Sequence, residues 1–125
     1  MIPFADLTLL HTSIQDKIDA ALTQVIQTSN FIGGEIVTQF EKEFASYIGI
    51  KHCIGCANGT DSIEILLQTL EIGKGDEVLV PAISWIATSE AVSSVGATPI
   101  FVDVNPEFYT IDVSKIEVAI TSKTK

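Results

Sequence analysis

The sequence predicts an α/β domain in which helices flank a mostly parallel sheet, and three features point to this fold class. Short apolar or β-prone runs alternate with segments of helical periodicity between residues 53 and 120. Glycine and proline, which often end regular structure, separate these segments. The alternation and the segment lengths are typical of βαβ units, whose strands are parallel and whose crossovers are right-handed.

The first fifty residues are predicted to be a helical lead-in. Ser13 is a candidate N-cap for a helix that ends near Thr28 and whose apolar residues share one face, namely Ile14, Ile18, Leu22, Val25 and Ile26. Residues 30–34 contain paired glycines and predict a break. A second helix follows with Gly49 as its stop and with an apolar stripe of Val37, Phe40, Phe44 and Ile48.

Residues 53–76 are the stretch around which the rest of the chain is organised. The apolar run 53–57 predicts a buried strand, and helical spacing follows at Ile63, Leu66, Leu67 and Leu70. Thr60 or Asp61 is expected to cap this helix, and Gly59 to allow a sharp turn before it. The free N–H groups of the helix N-terminus make a candidate phosphate site, although an ordinary capped turn explains the same pattern. Neither a GxGxxG fingerprint nor a P-loop is present.

The remaining elements follow in order. Residues 73–76 predict a turn and residues 77–80 a short strand that ends at Pro81. A third helix is expected over 85–95 with Gly96 behind it, and a third strand over 99–104. Asp112 is the expected cap of a last helix over 113–120.

Charge and composition exclude several classes of function. Seven basic residues, all lysines, oppose sixteen acidic residues, and the net charge is −9. So acidic a chain disfavours nucleic acids and anionic membranes as partners, and without arginine a phosphate needs a local backbone site. We expect no membrane span and no signal peptide, and therefore a cytoplasmic protein.

Cys53 and Cys56 form a CxxC pattern, which raises the question of a redox or zinc site. A zinc site would need a second pair of cysteine or histidine ligands, and His11 stands alone far upstream. We therefore expect no metal site and two buried structural thiols in a reducing compartment.

Residues 57–104 resemble the opening of the large domain of the DegT/DnrJ/EryC1/StrS family of pyridoxal-phosphate (PLP) sugar aminotransferases, which have the fold type I architecture. The similarity extends from Ile2-Pro3-Phe4 to the last residues. Its most specific parts are residues 58–62, 73–81 and 101–104. The resemblance implies that residues 1–125 are the N-terminal part of the PLP-binding large domain, with a helical lead-in over 1–50 and a βαβαβ-α core over 51–125.

The resemblance also implies site residues. Gly59, Thr60 and Asp61 would cradle the phosphate of PLP and Trp85 would stack on its ring, whereas a core position is the alternative for Trp85. Phe31 and Gly34 would lie where the sugar substrate enters, although a plain helix–helix connection explains that turn as well. Asp103 is expected to make structural hydrogen bonds rather than to face the cofactor.

The family's Schiff-base lysine has no counterpart here, so we expect no catalytic residue in this chain and no transamination by the chain alone. The resemblance implies a homodimer that transfers an amino group, from glutamate, to a nucleotide-linked keto sugar. The alternatives are a PLP-dependent sugar dehydratase similar to this family and a non-catalytic phosphate-binding α/β module. Since the first strand of this fold pairs with a later strand, residues 53–57 are expected to have an unpaired edge that favours self-association.

Overall fold

The computed structural model describes residues 4–125, and the chain forms two compact units that divide between Gly55 and Cys56. The first unit contains the helices α1 (Thr8–Thr28) and α2 (Glu35–Ile48). The second contains, in order, α3 (Gly59–Thr69), β1 (Glu77–Pro81), α4 (Ala87–Ser94), β2 (Thr98–Val102) and α5 (Val113–Ala119). Ile2 and Pro3, where the family resemblance begins, lie outside the described residues.

Helix α1 begins earlier than the sequence predicts. Its first N–H, that of Thr8, donates to the Asp6 carboxylate at 2.8 Å. The predicted cap, Ser13, lies inside the helix, where its hydroxyl donates to the Leu10 carbonyl at 2.7 Å. The predicted start was therefore wrong, because a serine that bonds back to the preceding turn is compatible with a helix interior. None of the described helices, including the 21-residue α1, is both long and apolar enough to cross a bilayer.

Helix α2 ends where the sequence predicts. Gly49 adopts φ 79°, and its N–H donates to the carbonyl oxygens of Ala45 and Ser46. This left-handed glycine satisfies carbonyl groups that a helix end leaves unpaired. Of the described residues in α2, only Ala45 is buried, and the predicted stripe includes Phe40 at 55% and Phe44 at 43% exposure.

The core of the second unit lies between the sheet and α4. Strands β1 and β2 are parallel, with Glu77 opposite Thr98 and Pro81 opposite Val102. The buried core residues come from one helix, one strand, the next helix and the turn after it: Leu67, Val80, Val92 and Ala97. Helix α4 contacts both strands and α3 packs against α4. The predicted parallel α/β arrangement is confirmed over this unit.

Residues 53–57 form no strand, contrary to the prediction. A strand needs a hydrogen-bonded neighbour, and within residues 4–125 the only sheet is the pair β1–β2. Ile54 is 85% exposed. Cys56 is exposed and Cys53 half-buried, so the prediction of two buried thiols was wrong as well.

The last third of the chain follows the predicted order with shifted bounds. Helix α4 starts at Ala87 rather than at Trp85, and β2 ends at Val102, after which Val104 pairs with Ile111. Asp112 caps α5 as predicted, since its carboxylate accepts from the Ser114 N–H at 3.0 Å. Residues 123–125 then lie beside β1, where Thr124 forms a parallel bridge with Glu77.

Candidate functional site

The topology of the second unit places two helix N-termini at one end of the sheet. Helix α3 leads through the turn at 70–76 into the amino end of β1, and α4 leaves the carboxyl end of β1. In α/β units of this order the helices run antiparallel to the strand, so we expect both helices to begin near its carboxyl end. This is the end of an α/β sheet at which ligands bind.

The N-cap of α3 is Asn58 rather than Thr60 or Asp61. Asn58 has an extended backbone at φ −164° and ψ 178°, and its Oδ1 accepts from the Asp61 N–H at 3.0 Å. In return, its Nδ2 donates to the Asp61 carboxylate at 3.2 Å. Thr60 and Asp61 already have helical geometry, so neither can be the half-turn residue that capping requires. Asparagine directly before a helical pattern is a strong N-cap signal, and it was available in the sequence.

Gly59 is the first residue of α3, and the sharp turn predicted for it lies at Asn58 instead. A Cβ added at Gly59 would meet no other atom within 4 Å, so the surface beside this residue is open. Within residues 4–125, the N–H groups of Gly59 and Thr60 donate to no other group, whereas those of Asp61 and Ser62 are used by Asn58. Two backbone donors are thus available to an anion, near the positive end of the helix dipole.

The charge at this turn is mixed. Asp61 is half-buried in the first turn of α3, where the helix dipole stabilises its carboxylate. Its bond with Asn58 points one carboxylate oxygen at the capping side chain. Asp61 therefore orients the cap, while the backbone N–H groups of Gly59 and Thr60 and the Thr60 hydroxyl are donors available to an anion.

Trp85 lies in the connection between β1 and α4 and is 80% exposed. The alternative of a core position is therefore wrong for this residue. Beside it lies a cavity of about 110 Å³ whose walls include Pro81, Thr88 and Phe101. An exposed indole at the carboxyl end of β1 offers a flat apolar face for stacking against a ring.

Phe31 and Gly34 lie in the α1–α2 connection of the first unit. Phe31 is 68% exposed. Gly34 adopts φ 83° and ψ −167°, and a Cβ there would lie 2.7 Å from Nδ2 of Asn30. The backbone geometry thus requires glycine, whereas the close contact is with the end of the Asn30 side chain, which can move. Binding of a sugar by these two residues stays a prediction.

Asp103 makes structural hydrogen bonds, as expected. Its carboxylate accepts from the Lys115 ammonium at 2.8 Å and from the Val104 N–H at 2.9 Å. The hydrogen bond from Lys115 is the main cause that lowers the pKa of Asp103, and the Val104 N–H and the charge of Lys115 add to it. Lys115, whose pKa the same pair raises, joins α5 to the end of β2.

One further contact in this region could not be predicted from the sequence. The hydroxyl groups of Ser84 and Thr88 lie 2.9 Å apart, on either side of Trp85 in the chain. Two hydroxyl residues at this spacing are common in sequences, so only the folded structure identifies the pair.

The chain is similar in sequence to a known family of proteins. The sequence profile of the DegT/DnrJ/EryC1/StrS aminotransferase family matches residues 12–125. The UDP-2-acetamido-2-deoxy-3-oxo-D-glucuronate aminotransferase of Pseudomonas aeruginosa is 43% identical over 125 residues, which are 100% of this chain and 35% of that protein. The 3-oxo-glucose-6-phosphate:glutamate aminotransferase of Bacillus subtilis is 40% identical over 126 residues, which cover 99% of this chain and 28% of that protein.

Solved structures agree with the sequence comparisons. The crystal structure of NtdA from Bacillus subtilis, with bound cofactor PMP, matches 99% of this chain and 29% of its own at a TM-score of 0.92 and 41% identity. These comparisons confirm the predicted resemblance and fold class, and they confirm PLP as the cofactor of the family. The chain spans about a third of the length of the curated relatives it matches.

Proposed function

Because the chain belongs to the DegT/DnrJ/EryC1/StrS aminotransferase family, we propose that it forms the N-terminal part of the large domain of a PLP-dependent sugar aminotransferase. The whole protein then transfers an amino group from glutamate to a keto sugar attached to a nucleotide. The name of the Pseudomonas aeruginosa relative supports a nucleotide sugar. The name of the Bacillus subtilis relative supports glutamate as donor, although the sugar in that name carries a phosphate.

Two observed features support the proposal, and we infer from the order of the elements that both lie near the carboxyl end of β1. One is the open N-terminus of α3, and the other is the exposed indole of Trp85. These features fit the two ends of PLP, since a phosphate needs N–H donors and room, and a pyridine ring needs a flat apolar face. When bound, the cofactor supplies the electron sink that allows an amino group to move between two carbon atoms.

Each predicted residue then has a distinct role. Gly59 and Thr60 donate their backbone N–H groups to the phosphate, and the Thr60 hydroxyl adds a third donor. Asp61 holds Asn58 in the capping geometry through its 3.2 Å contact with Nδ2, so it shapes the cradle. Trp85 covers one face of the ring.

Substrate and catalytic roles complete the proposal. Phe31 and Gly34 contribute to the entrance for the sugar, and the lysine that binds the cofactor comes from a segment that these 125 residues do not include. Lys115 is unsuited to that role because it forms an ion pair with Asp103 at 2.8 Å. The chain alone is therefore inactive, and the whole enzyme acts in the cytoplasm as a homodimer.

The test uses the amide donor of Gly59. Proline is accepted at the first position of a helix and removes only the N–H group, and Asn58 already has the extended backbone that precedes proline. We expect Gly59→Pro to weaken PLP binding roughly ten-fold, as the loss of one charge-assisted hydrogen bond implies. Gly59→Ala keeps the N–H group in open space and is the matched control. Binding is measured as quenching of Trp85 fluorescence, with pyridoxal, which lacks the phosphate, as the comparison ligand.

The outcome distinguishes the three functions considered. Equal binding by the proline and alanine variants, or equal affinity for pyridoxal and PLP, would contradict the phosphate cradle. In the whole protein, formation of an amino sugar from glutamate and a nucleotide-linked keto sugar supports the aminotransferase. A deoxygenated sugar without an incorporated amine indicates the dehydratase, and phosphate binding with neither product indicates the non-catalytic module.

A further inference from the structure

The connection that carries Trp85 contains a hydroxyl pair that the phosphate cradle does not use. Ser84 precedes Trp85 in the chain, and Thr88 lies in the first turn of α4. The Ser84 Oγ and Thr88 Oγ1 atoms are 2.9 Å apart, which is a hydrogen-bonding distance for two hydroxyl groups. The pair therefore closes a loop of the chain that contains Trp85.

A second bond ties Trp85 to the same threonine. The Thr88 N–H donates to the Trp85 carbonyl at 3.0 Å. The hydroxyl of Ser84 and the carbonyl of Trp85 are thus both hydrogen-bonded to Thr88. Thr88 is half-buried and β-branched, so its side chain has few rotamers. Its hydroxyl group therefore has a well-defined position.

The indole itself has little else to hold it. Trp85 is 80% exposed, so packing restrains only a small part of its surface. Ile86, the residue at the N-cap position of α4, makes no side-chain capping bond. The direction of the indole depends on the side-chain torsions of Trp85 and on its backbone, which limits the rotamers available. The described contacts of this backbone lead to Thr88.

From this geometry we propose that Ser84 and Thr88 are positioning residues that hold the indole of Trp85 in the direction in which it stacks on the cofactor ring. The inference rests on the proposed function, because it assigns the indole the role of a stacking surface. A surface that is oriented before the ligand arrives loses less conformational freedom on binding than a mobile one. The hydroxyl pair therefore raises the affinity of the protein for the cofactor ring without contacting that ring.

The test measures the motion of Trp85 without any cofactor. Trp85 is the only tryptophan of the 125 residues, so time-resolved fluorescence anisotropy of the full chain reports on this side chain alone. Thr88→Val removes the hydroxyl and keeps the branched shape and the N–H group. We expect it to enlarge the nanosecond depolarisation of Trp85 roughly two-fold, as for a loosened loop. Ser84→Ala is expected to have an effect of the same size, and the double variant no larger one.

Two further variants separate a specific loss of Trp85 positioning from a general loss of structure. Thr88→Ser keeps the hydroxyl and should restore the anisotropy of the original chain. Ser93→Ala removes a hydroxyl from the same helix, where it donates to the Ser89 carbonyl at 3.2 Å, and should leave Trp85 unaffected. A change in the far-ultraviolet circular dichroism of Thr88→Val would indicate altered secondary structure. In that case the anisotropy of Ser84→Ala tests the inference, because Ser84 is exposed.

The inference is overturned if the anisotropy of Trp85 is unchanged by Ser84→Ala, if the effects of the two single variants add, or if Ser93→Ala has the same effect. A PLP titration then separates this inference from the proposed function. We expect the two hydroxyl deletions to weaken quenching by PLP about three-fold, through lost preorganisation. If the original chain and the whole protein do not bind PLP, the proposed function fails, while the anisotropy series still decides whether the hydroxyl pair holds Trp85.

Discussion

Asn58 shows how a single side chain shapes the proposed phosphate cradle. Its amide group uses the N–H of Asp61 and one oxygen of the Asp61 carboxylate, at 3.0 Å and 3.2 Å. The N–H groups of Gly59 and Thr60 precede the one that the cap takes, and they stay available to a ligand. The cap therefore stabilises the helix and also determines which backbone donors an anion can reach.

The ion pair of Asp103 with Lys115 predicts a pH dependence at the residue scale. Because the pKa of Asp103 is lowered on folding, its contribution to stability is complete above the unfolded value of about 3.9 and is lost as the pH falls through the lower folded pKa. Because the pKa of Lys115 is raised, its contribution is complete below about 10.4 and is lost as the pH rises through the higher folded pKa. Asp103→Asn should therefore lower Tm between these limits and make no difference at strongly acidic pH.

Thermal melts over a pH series check this prediction. Lys115→Met should reproduce the effect of Asp103→Asn at neutral pH, and the double variant should add little to either. A Tm difference that persists unchanged below the folded pKa of Asp103 would contradict the ion pair as its cause.

At the scale of elements, the connection between α1 and α2 depends on two glycines in different ways. Gly34, at φ 83° and ψ −167°, lies in a region that is accessible almost only to glycine. Gly33 has φ 62°, and a Cβ there would meet nothing within 4 Å. We expect Gly33→Ala to destabilise the chain by about 1–2 kcal/mol, the cost of a left-handed alanine, and Gly34→Ala to destabilise it more.

Thermal unfolding followed by circular dichroism compares the two variants. The additional cost at Gly34 includes the contact of 2.7 Å with Nδ2 of Asn30, so Asn30→Ala should recover part of the stability of Gly34→Ala but none of that of Gly33→Ala. Equal Tm values for the two alanine variants would show that the backbone geometry at Gly34 is unnecessary.

At the scale of the whole molecule, large apolar side chains lie exposed in both units. In the first unit, Phe40 and Phe44 stack at 5.6 Å between ring centroids and are 55% and 43% exposed. In the second unit, Leu66 and Leu70 are 61% and 68% exposed. Apolar surface of this extent is typical of interfaces, and about two thirds of the length of the curated relatives has no counterpart here.

We therefore expect the chain of 125 residues to self-associate. Sedimentation velocity at increasing concentration should show a rising weight-average sedimentation coefficient, because association buries apolar surface. Phe40→Gln should reduce the association, whereas Gln15→Ala, a change on the polar side of α1, should not. A compact monomer that melts cooperatively at all concentrations would contradict this expectation.

The local sequence by itself determined several elements. Gly49 and Asp112 end and begin helices where the pattern predicts, because each provides the backbone or side-chain geometry that a helix terminus needs. The strand β1 also follows directly from the sequence, since residues 77–80 were predicted as a strand that ends at Pro81. Residues 57–104 identified the family and its cofactor, because motifs of this length rarely occur by chance.

Only the tertiary structure decided the rest. Residues 53–57 have the composition of a strand, yet they form none without a neighbouring strand, since hydrogen bonding in a sheet depends on residues distant in the chain. The exposure of Trp85 and its link through Ser84 to Thr88 depend in the same way on where β1 ends and α4 begins. Local patterns record what each segment can form, whereas partners in space decide which possibility is realised and which surfaces stay open to a ligand.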